Sequence, residues 1–430
     1  MAEKSTAKSG PFRSAMQSRL ANSPSMIAIG RFITMFFSLA TVPIVARALG
    51  PDGRGIAATM LAVLAITQVL LGLGIPLAVR RRVIVGDDRS DVMMTARLYA
   101  ALTTIPALAV AFSIDVILFT EQTTTTRIAF YISMALIPLT VSWATDVSVL
   151  VATEEYLRMA LLGIVQAGSS FLVVLAIWMI GKLDISSVIY ATLAGNVVTF
   201  FVGLCWVGAR GGRVRHFWSL AREGCSLVGG QMAGIATGRV DQIIVLPILG
   251  AGGAGIYSIA LTLGSLPTPV AQAVGAGSFA NFSRGERQLV LKSIRHSAAL
   301  CIVTAAILGV ASYFLIPVVF GTAFADAIPA ALIMVGGSIF TGVAFVASMA
   351  LAAQRKGARM TTIQVGGVLV GLALLAPLAV TWGAVGAASA MTGGSAVTLI
   401  LALHQLRISP LEALPRSSDW LNSFRDLIRI

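Results

Sequence analysis

Leu49-Gly50-Pro51-Asp52-Gly53-Arg54-Gly55-Ile56 has a second copy in the same chain, Leu249-Gly250-Ala251-Gly252-Gly253-Ala254-Gly255-Ile256. Both copies read L-G-x-x-G-x-G-I and lie 200 residues apart, and Gly195–Thr199 corresponds to Gly394–Thr398 at an offset of 199. Each copy of the first motif lies in the short link between the first two apolar segments of its half. The pattern therefore predicts a chain built from two related halves.

The composition excludes an ordinary soluble protein. Hydrophobic residues make up 57% of the chain, charged residues only 11%, and the mean hydropathy is +0.89. A soluble domain carries about 25% charged residues, so the apolar surplus indicates surface that faces lipid. The net charge of +13 lies in loops rather than on one basic face, and we expect no nucleic-acid partner. Residues 1–24 lack the apolar core of a signal peptide and are interpreted as a cytoplasmic tail.

A membrane-spanning helix needs about 20 apolar residues, because the hydrocarbon interior cannot satisfy bare backbone groups. Segments of that kind occur twelve times, so the sequence predicts an all-α polytopic membrane protein with twelve transmembrane helices. The predicted segments are 26–48, 55–79, 94–118, 128–151, 158–180, 185–208, 225–249, 254–280, 296–319, 326–352, 360–380 and 384–406.

The distribution of Lys and Arg predicts the orientation, since cytoplasmic loops carry the excess of these residues. With the N-terminus cytoplasmic, 25 of the 31 lie on the cytoplasmic side and four on the other side. The C-terminus is then cytoplasmic too. A basic linker, 210–224, divides the chain into an N-lobe of six helices (25–209) and a C-lobe of six (225–407). Six is even, so the two pseudo-symmetric lobes run in the same direction across the membrane.

Residues 408–430 are interpreted as a second cytoplasmic tail. Its apolar residues recur at helical spacing, and Arg425 and Arg429 lie off that stripe. The spacing favours an amphipathic helix lying on the membrane surface; a frayed tail fits the same residues. The stripe comprises Trp420, Leu421, Phe424, Leu427 and Ile428.

Charged side chains at membrane depth are costly and often mark a transport path. Five residues are candidates for substrate binding in a central cavity: Arg31, Arg54, Asp146, Arg239 and Asp241. Each has a structural alternative. Arg31 lies near a helix end and can snorkel to water, Asp146 can pair with a neighbour, and Arg54 can be a solvated loop charge. Asp241 follows Arg239 by two residues, which places the two on different helix faces.

Motifs for enzyme chemistry are weak in this chain. Asp87-Asp88-Arg89-Ser90-Asp91 has the D-D-x-x-D spacing of magnesium-diphosphate sites in prenyl-transferring enzymes, but no second acidic cluster accompanies it. A solvated acidic turn that balances Arg80–Arg82 explains it better. No nucleotide-binding loop, H-E-x-x-H or G-x-S-x-G motif occurs, and the His and Cys residues are scattered. We expect no catalytic residue, metal site or cofactor.

Several short motifs, spread over the whole chain, resemble those of polysaccharide-type flippases of the multidrug/oligosaccharidyl-lipid/polysaccharide exporter superfamily. Ala46–Gly55 is similar to the stretch after their first helix. Arg239-Val240-Asp241-Gln242, followed by Leu249-Gly250 and Gly255-Ile256-Tyr257, is similar to their signature for helices seven and eight. Phe320–Ala327 resembles the link before their tenth helix, and Gly383–Ala390 resembles the start of their helix twelve.

This resemblance implies two six-helix lobes arranged as in multidrug exporters of the superfamily, with substrate between them. It also implies flipping of undecaprenyl-diphosphate-linked oligosaccharide from the cytoplasmic to the outer leaflet of the inner membrane. Arg31 and Arg239 would attract the diphosphate, and Asp146 or Asp241 could couple transport to a proton or a sodium ion. Glycan polymerases or glycosyltransferases are the expected protein partners.

Three alternatives remain at this point. The nearest is a cation-coupled exporter of drug-like molecules from the same superfamily, which an acidic, aromatic-lined cavity would favour. A membrane enzyme, either a prenyl transferase or a glycan polymerase, is more remote, because no predicted outer loop is long enough for a polymerase. A scaffold that recruits glycan enzymes without transporting anything is the third.

Overall fold

The computed structural model describes residues 24–208, 212–283, 286–354 and 357–416, and its regular elements there are all helical. In these ranges eight helices are long and apolar enough to cross a membrane, or nine if the bent pair Thr124–Ala135 and Ile137–Ala152 counts as one span. The prediction of an all-helical polytopic membrane protein is confirmed at this level. The count of twelve and the orientation stay predictions, and the tails 1–23 and 417–430 lie outside the described residues.

The backbone contacts divide the chain into two compact units. The first unit contains the residues up to Val42 together with Thr67–Val228, and the second contains Pro43–Ile66 together with the residues from Gly229 onward. The predicted lobes 25–209 and 225–407 stay a prediction. The observed units differ from them in segment 43–66, which packs within the second unit for a reason given below.

Helices of the first unit follow one another through short turns, and the first and last of them continue into the second unit. Its core lies where Ile75, Met93, Val149 and Leu162 pack together. The helices are α1 (Pro24–Gly72), α2 (Ile75–Val85), α3 (Arg89–Leu102), α4 (Thr104–Ile114), α5 (Thr124–Ala135), α6 (Ile137–Ala152), α7 (Tyr156–Met179), α8 (Ile185–Val207) and α9 (Phe217–Ser265).

The second unit takes the middle of α1, most of α9 and the remaining helices. Its core is an aliphatic cluster around Ile294, Val346 and Leu403. The remaining helices are α10 (Thr268–Ser283), α11 (Arg287–Leu315), α12 (Ala327–Ala353) and α13 (Gly357–Gln405).

Three helices of 49 residues each are interrupted by one glycine with non-helical dihedrals: Gly50 in α1, Gly250 in α9 and Gly383 in α13. Gly50 (φ 65°, ψ −175°) and Gly250 (φ 72°, ψ −179°) adopt nearly the same conformation, 200 residues apart. Only glycine enters this region without strain. The internal repeat seen in the sequence is therefore also a repeat of backbone geometry.

The chain folds back on itself at Gly383. A Cβ on Gly367 would overlap the Thr398 side chain, and one on Gly394 would approach the Gly367 carbonyl oxygen at 2.6 Å. These residues lie at similar distances along the chain before and after the turn, so the two parts of α13 form a close antiparallel hairpin. Their small residues let the two backbones approach, as is common between membrane helices.

The two copies of the glycine motif touch each other inside the second unit. A Cβ added to Gly55 would overlap the carbonyl oxygen of Ala251, and a Cβ added to Gly255 would overlap that of Pro51. Gly255 is the counterpart of Gly55 at the offset of 200, and Pro51 is the counterpart of Ala251. The two contacts are therefore related by the repeat. This reciprocal contact joins segment 43–66 to the second unit.

A Gly255→Ala substitution should therefore destabilise the protein. The added methyl group meets a backbone oxygen that cannot rotate away, and overpacking of this kind costs about 1–3 kcal/mol. Thermal unfolding of the purified protein in detergent measures the effect. Gly336→Ala is the matched control, because nothing lies within 4 Å of its Cβ and alanine favours a helix by about 1 kcal/mol. Equal melting temperatures for the two variants would contradict the contact.

Within the described residues, each half also contains one π-helical turn directly after an α-helix. Asp115–Phe119 follows α4 and Ile316–Phe320 follows α11, and the two turns lie 201 residues apart. Phe119 and Phe320, which end them, are both buried. A π-helical turn is rare and often marks a functional position. The guanidinium of Arg47 donates to the carbonyl of Val318 within the second of these turns.

The chain after α13 is fixed to the second unit by one carboxylate. Arg287 Nη2 lies 2.7 Å from Glu412 Oε2, and the Ser409 backbone N–H donates to the same oxygen at 3.0 Å. Arg295 Nε donates to the Glu412 carbonyl oxygen at 2.6 Å. These bonds hold segment 408–416 against the core, where Ile408 and Ala413 are buried.

Segment 408–416 should be held less firmly at acid pH. The Ser409 N–H and the Arg287 guanidinium lower the pKa of Glu412 below its ordinary value of about 4.5. Its contribution is therefore complete above that value and is lost as the pH falls through the lower, folded-state pKa. Hydrogen exchange of residues 408–416, corrected for the intrinsic rate, should rise between about pH 6 and about pH 3.

The matched variant for this test is Glu412→Gln, which lacks the titrating group. It should exchange faster at the higher pH and show little further change on acidification. Equal corrected exchange of the parent protein at both ends of the range would contradict the assigned role of Glu412.

Candidate functional site

Three of the five predicted site residues lie in the second unit and two in the first. Arg54, Arg239 and Asp241 belong to the second unit, whereas Arg31 and Asp146 belong to the first. The side chain of Arg31 is exposed on α1.

Glycine turns position the residues of the second unit. Arg54 follows Gly50 by four residues. Asp241 precedes Gly250, the corresponding glycine of α9, by nine residues. Arg54 is only 9% exposed, so its interpretation as a solvated loop charge is wrong. Its Nε has no hydrogen-bond partner among the described residues.

Asp241 is fully buried and is bonded across the turn. The hydroxyl of Tyr257 donates to Asp241 Oδ2, and Asp241 Oδ1 has no partner in the described part of the chain. Tyr257 is itself completely buried. Asp241 precedes Gly250 by nine residues and Tyr257 follows it by seven, so the bond requires the chain to reverse at this glycine.

Arg239 lies within electrostatic reach of both Arg54 and Asp241. Neither guanidinium forms an ion pair with a carboxylate among the residues described. Asp241, the carboxylate nearest in sequence to Arg239, is already bonded to Tyr257. We call Arg54, Arg239, Asp241 and Tyr257 the arginine site. It holds two guanidinium groups and one carboxylate, and an arrangement with an excess of positive charge attracts an anion.

Asp146 has a definite partner in the first unit. Its side chain is 0% exposed, and Arg97 Nη2 lies 3.3 Å from Asp146 Oδ1. Gly203 packs against Asp146 Oδ2 and leaves no space for a Cβ. The structural alternative, in which Asp146 pairs with a neighbour, is therefore the arrangement that the structure shows. Arg97, which the sequence analysis counted among the cytoplasmic charges, lies within α3.

A family model described as polysaccharide biosynthesis protein matches residues 20–276, which is more than half of the chain. The chain belongs to this family. The match covers both glycine motifs and all four residues of the arginine site, so the site lies within the part that defines the polysaccharide biosynthesis family. No curated protein matches the chain significantly.

Solved structures share the fold of this polysaccharide biosynthesis family member. The lipid II flippase MurJ, in an inward closed conformation, is 14% identical, covers 94% of this chain and 91% of its own, and gives a TM-score of 0.69. A multidrug resistance MATE family transporter of the MOP superfamily, in an inward-facing conformation, is also 14% identical. It covers 87% of this chain and 94% of its own, with a TM-score of 0.68. A MOP superfamily transporter from Pyrococcus furiosus Vc1 covers 89% and 93% at 14% identity, with a TM-score of 0.51.

The acidic motif of the chain has a structural role within the first unit. Asp88 caps α3, since its Oδ1 accepts from the Ser90 backbone N–H at 2.8 Å. Asp91 accepts from the Arg213 N–H at 2.7 Å and pairs with Arg215 at 3.4 Å. Thus Asp91 fixes part of the basic linker. No group of three or more His, Cys, Asp or Glu residues suited to a metal occurs in the described ranges.

The acidic turn does not balance Arg80–Arg82 as the sequence analysis expected. Arg82 Nε instead pairs with Glu223 Oε2 at 3.0 Å, and Arg81 pairs with the other oxygen of Glu223 at 3.3 Å. Glu223 lies at the start of α9, more than 130 residues away in sequence. Local charge balance was therefore the wrong criterion for these arginines.

One buried charged cluster was missed by the sequence analysis. Asp115 is 0% exposed, Arg127 Nη2 lies 2.5 Å from its Oδ2, and the Tyr131 hydroxyl donates to the same oxygen at 3.1 Å. The signal was present, because Asp115 falls inside the predicted segment 94–118. Arg127 and Tyr131 lie one helical turn apart on α5, so both can reach it.

Proposed function

We propose that the protein flips a polyprenyl-diphosphate-linked oligosaccharide from the cytoplasmic to the outer leaflet of the inner membrane. The arginine site supports this most directly. It places two guanidinium groups in apolar helices of a polysaccharide biosynthesis family member, and its one carboxylate is bonded to a tyrosine. Arg54 is buried, and a buried positive charge requires an anionic partner, which the diphosphate of a glycan lipid supplies.

The topology that we propose has twelve spans and cytoplasmic termini. The described residues contain nine apolar spans when the bent pair counts as one, and three of these spans contain Gly50, Gly250 or Gly383. Bonds and close contacts across Gly250 and Gly383 indicate that the chain reverses there, and Gly50 has the dihedrals of Gly250. Three reversals raise nine spans to twelve, and an even number leaves both basic termini on the cytoplasmic side.

The chemistry follows from the charges. Arg54 and Arg239 bind the diphosphate oxygens, since a guanidinium presents paired donors to phosphate, and Arg31 attracts the same group. The polyprenyl tail stays in the lipid. Asp241, held by Tyr257, or the buried Asp146 couples the movement to a proton or a sodium ion. No bond of the substrate is made or broken, so the activity is transport and not catalysis.

A cation-coupled multidrug exporter is the second candidate, and the two fully buried carboxylates Asp146 and Asp241 are the observation that favours it. A lipophilic cation would seek those carboxylates, whereas a diphosphate would seek the arginines. The described contacts favour the diphosphate, because Asp146 is paired with Arg97 and Asp241 with Tyr257. The two arginines of the site form no such pair.

The decisive experiment uses vesicles that contain only the purified full chain. A fluorescent undecaprenyl-diphosphate oligosaccharide is placed in both leaflets, and a membrane-impermeant lectin or quencher measures its movement with time. We expect transfer above that of protein-free vesicles, with the glycan lipid recovered chemically intact and with no added glycan polymerase or glycosyltransferase. Transport of a lipophilic cation, without movement of the glycan lipid, would establish the multidrug exporter instead.

A further inference from the structure

A polar groove of about 470 Å³ lies at one end of the second unit, apart from the arginine site. It is formed where α12 ends, where α13 begins and where α13 ends. Its position at the end of long apolar helices places it at the boundary between the hydrocarbon and the water. Its lining residues are Gln354, Arg359, His404, Gln405, Leu406 and Arg407.

The positive charge of this groove is not neutralised by the described residues around it. Arg359 Nη1 has a neutral partner, Gln405 Oε1, at 3.4 Å, and Arg407 forms no described ion pair. The nearby carboxylate, Glu412, is occupied by Arg287 at 2.7 Å and by the Ser409 N–H. The groove therefore presents two guanidinium groups and an imidazole to a ligand.

The backbone fixes one of these arginines in place. Arg407 has a φ of 55°, which is an uncommon and strained conformation for a residue with a side chain. Its carbonyl oxygen accepts a hydrogen bond from Arg287 Nη2 at 3.3 Å. The contact with α11 thus stabilises the turn that places Arg407 in the groove wall.

Apolar side chains beside the groove indicate what kind of anion it binds. In segment 408–416, Ile408 and Ala413 are buried, but Leu411 and Leu414 are 79% and 57% exposed. Exposed leucines next to arginines are typical of a surface that lies in the membrane interface. A free anion in water would gain nothing from them, whereas a lipid brings both a phosphate and acyl chains.

We propose that this groove binds the phosphate headgroup of an anionic phospholipid, with Arg359 and Arg407 on the phosphate and Leu411 and Leu414 against the acyl chains. Arginine is suited to the headgroup because its planar guanidinium donates two parallel hydrogen bonds to phosphate oxygens. The site holds a structural lipid and is independent of the proposed transport function.

The test uses a photoactivatable phosphatidylglycerol and the full chain in phosphatidylcholine nanodiscs, with the crosslinked peptides identified by mass spectrometry. We expect labelling of peptides around 354–359 and 404–414. Labelling there should fall about tenfold or more in Arg359→Ala/Arg407→Ala, since each hydrogen bond to a charged group contributes about 1.5–3 kcal/mol.

Matched variants separate the site from general charge attraction. Arg80→Ala/Arg213→Ala removes two exposed arginines of the first unit and should leave labelling of the groove unchanged, and Arg359→Lys/Arg407→Lys should retain most of it. Equal groove labelling in the parent and in Arg359→Ala/Arg407→Ala overturns the proposal. So does loss of labelling on addition of inorganic phosphate at about equal concentration, which would show that the groove selects free phosphate.

Folding of the variants is checked independently. Both arginines are exposed, so the alanine pair should melt at the temperature of the parent protein. If it does not fold, Leu411→Ser/Leu414→Ser provides the second measurement, since the proposal requires it to reduce labelling of the groove too. Unchanged labelling in that variant overturns the proposed acyl-chain contact.

Discussion

An Arg239→Ala variant should flip glycan lipid at less than about a tenth of the parent rate, and the rate of an Arg54→Ala variant should be reduced by a similar factor. Each guanidinium contributes charge-assisted hydrogen bonds to the diphosphate, worth about 1.5–3 kcal/mol apiece, and 1.4 kcal/mol corresponds to about a tenfold change in binding. The vesicle assay described for the parent protein measures the rate, and the amount of folded protein is determined in parallel.

Controls for this result come from the same chain. Arg80→Ala removes an exposed arginine of the first unit and should leave flipping unchanged. Arg239→Lys keeps the charge but loses the paired donors, so an intermediate rate is expected. Full activity of Arg239→Ala in well-folded protein would remove this residue from the substrate site.

The second large effect concerns stability. Arg97→Ala should destabilise the protein by about 3–5 kcal/mol, because removal of one partner leaves the other as an uncompensated buried charge. Asp146 is 0% exposed and its second oxygen has no described hydrogen-bond partner, so only the more distant charge of Arg89 would still compensate it. Thermal and denaturant unfolding in detergent measure the loss.

A double variant distinguishes this explanation from a general packing defect. Arg97→Ala/Asp146→Asn removes the charge together with its partner and should recover much of the lost stability. Arg158→Ala breaks the exposed pair with Glu155 and should cost no more than about 1 kcal/mol. If Arg97→Ala costs no more than Arg158→Ala, the buried pair does not stabilise the first unit.

The fold followed from the sequence where a signal was periodic or repeated. Apolar segments predicted the helices, and the duplicated glycine motif predicted two equivalent places, at Gly50 and Gly250, where the chain turns alike. The placement of segment 43–66 did not follow, because it depends on contact between the two copies. A motif shows that two segments are alike but does not show that they pack together.

The candidate site was predictable as residue types and not as an arrangement. Arg239 and Asp241 were identified from their position in an apolar segment, but the bond from Tyr257 to Asp241 depends on the reversal at Gly250. For Arg54, a charge next to Gly and Pro left the alternative of a solvated turn open, and its 9% exposure excludes that alternative.

The long-range pairs explain the remaining differences. Arg82 with Glu223 and Arg97 with Asp146 join residues that are 141 and 49 positions apart. Loop charge counts assume that each charge faces the nearest water, and both arginines instead find carboxylates on other helices. For Arg97 and Asp146, which both lie in predicted apolar segments, such a partner is the more favourable because an unpaired charge is costly at membrane depth.

The paired π-helical turns, Asp115–Phe119 and Ile316–Phe320, bear on the history of the chain. Each turn holds more residues than an ordinary helical turn, so a change at one site in an ancestor can explain both. Two independent origins at corresponding places would require the same rare irregularity to arise twice. We therefore infer that the irregularity was already present in a half-length ancestral gene and was copied with it. The first turn opens on an acidic residue and the second does not. The residue at that position therefore diverged after the gene doubled.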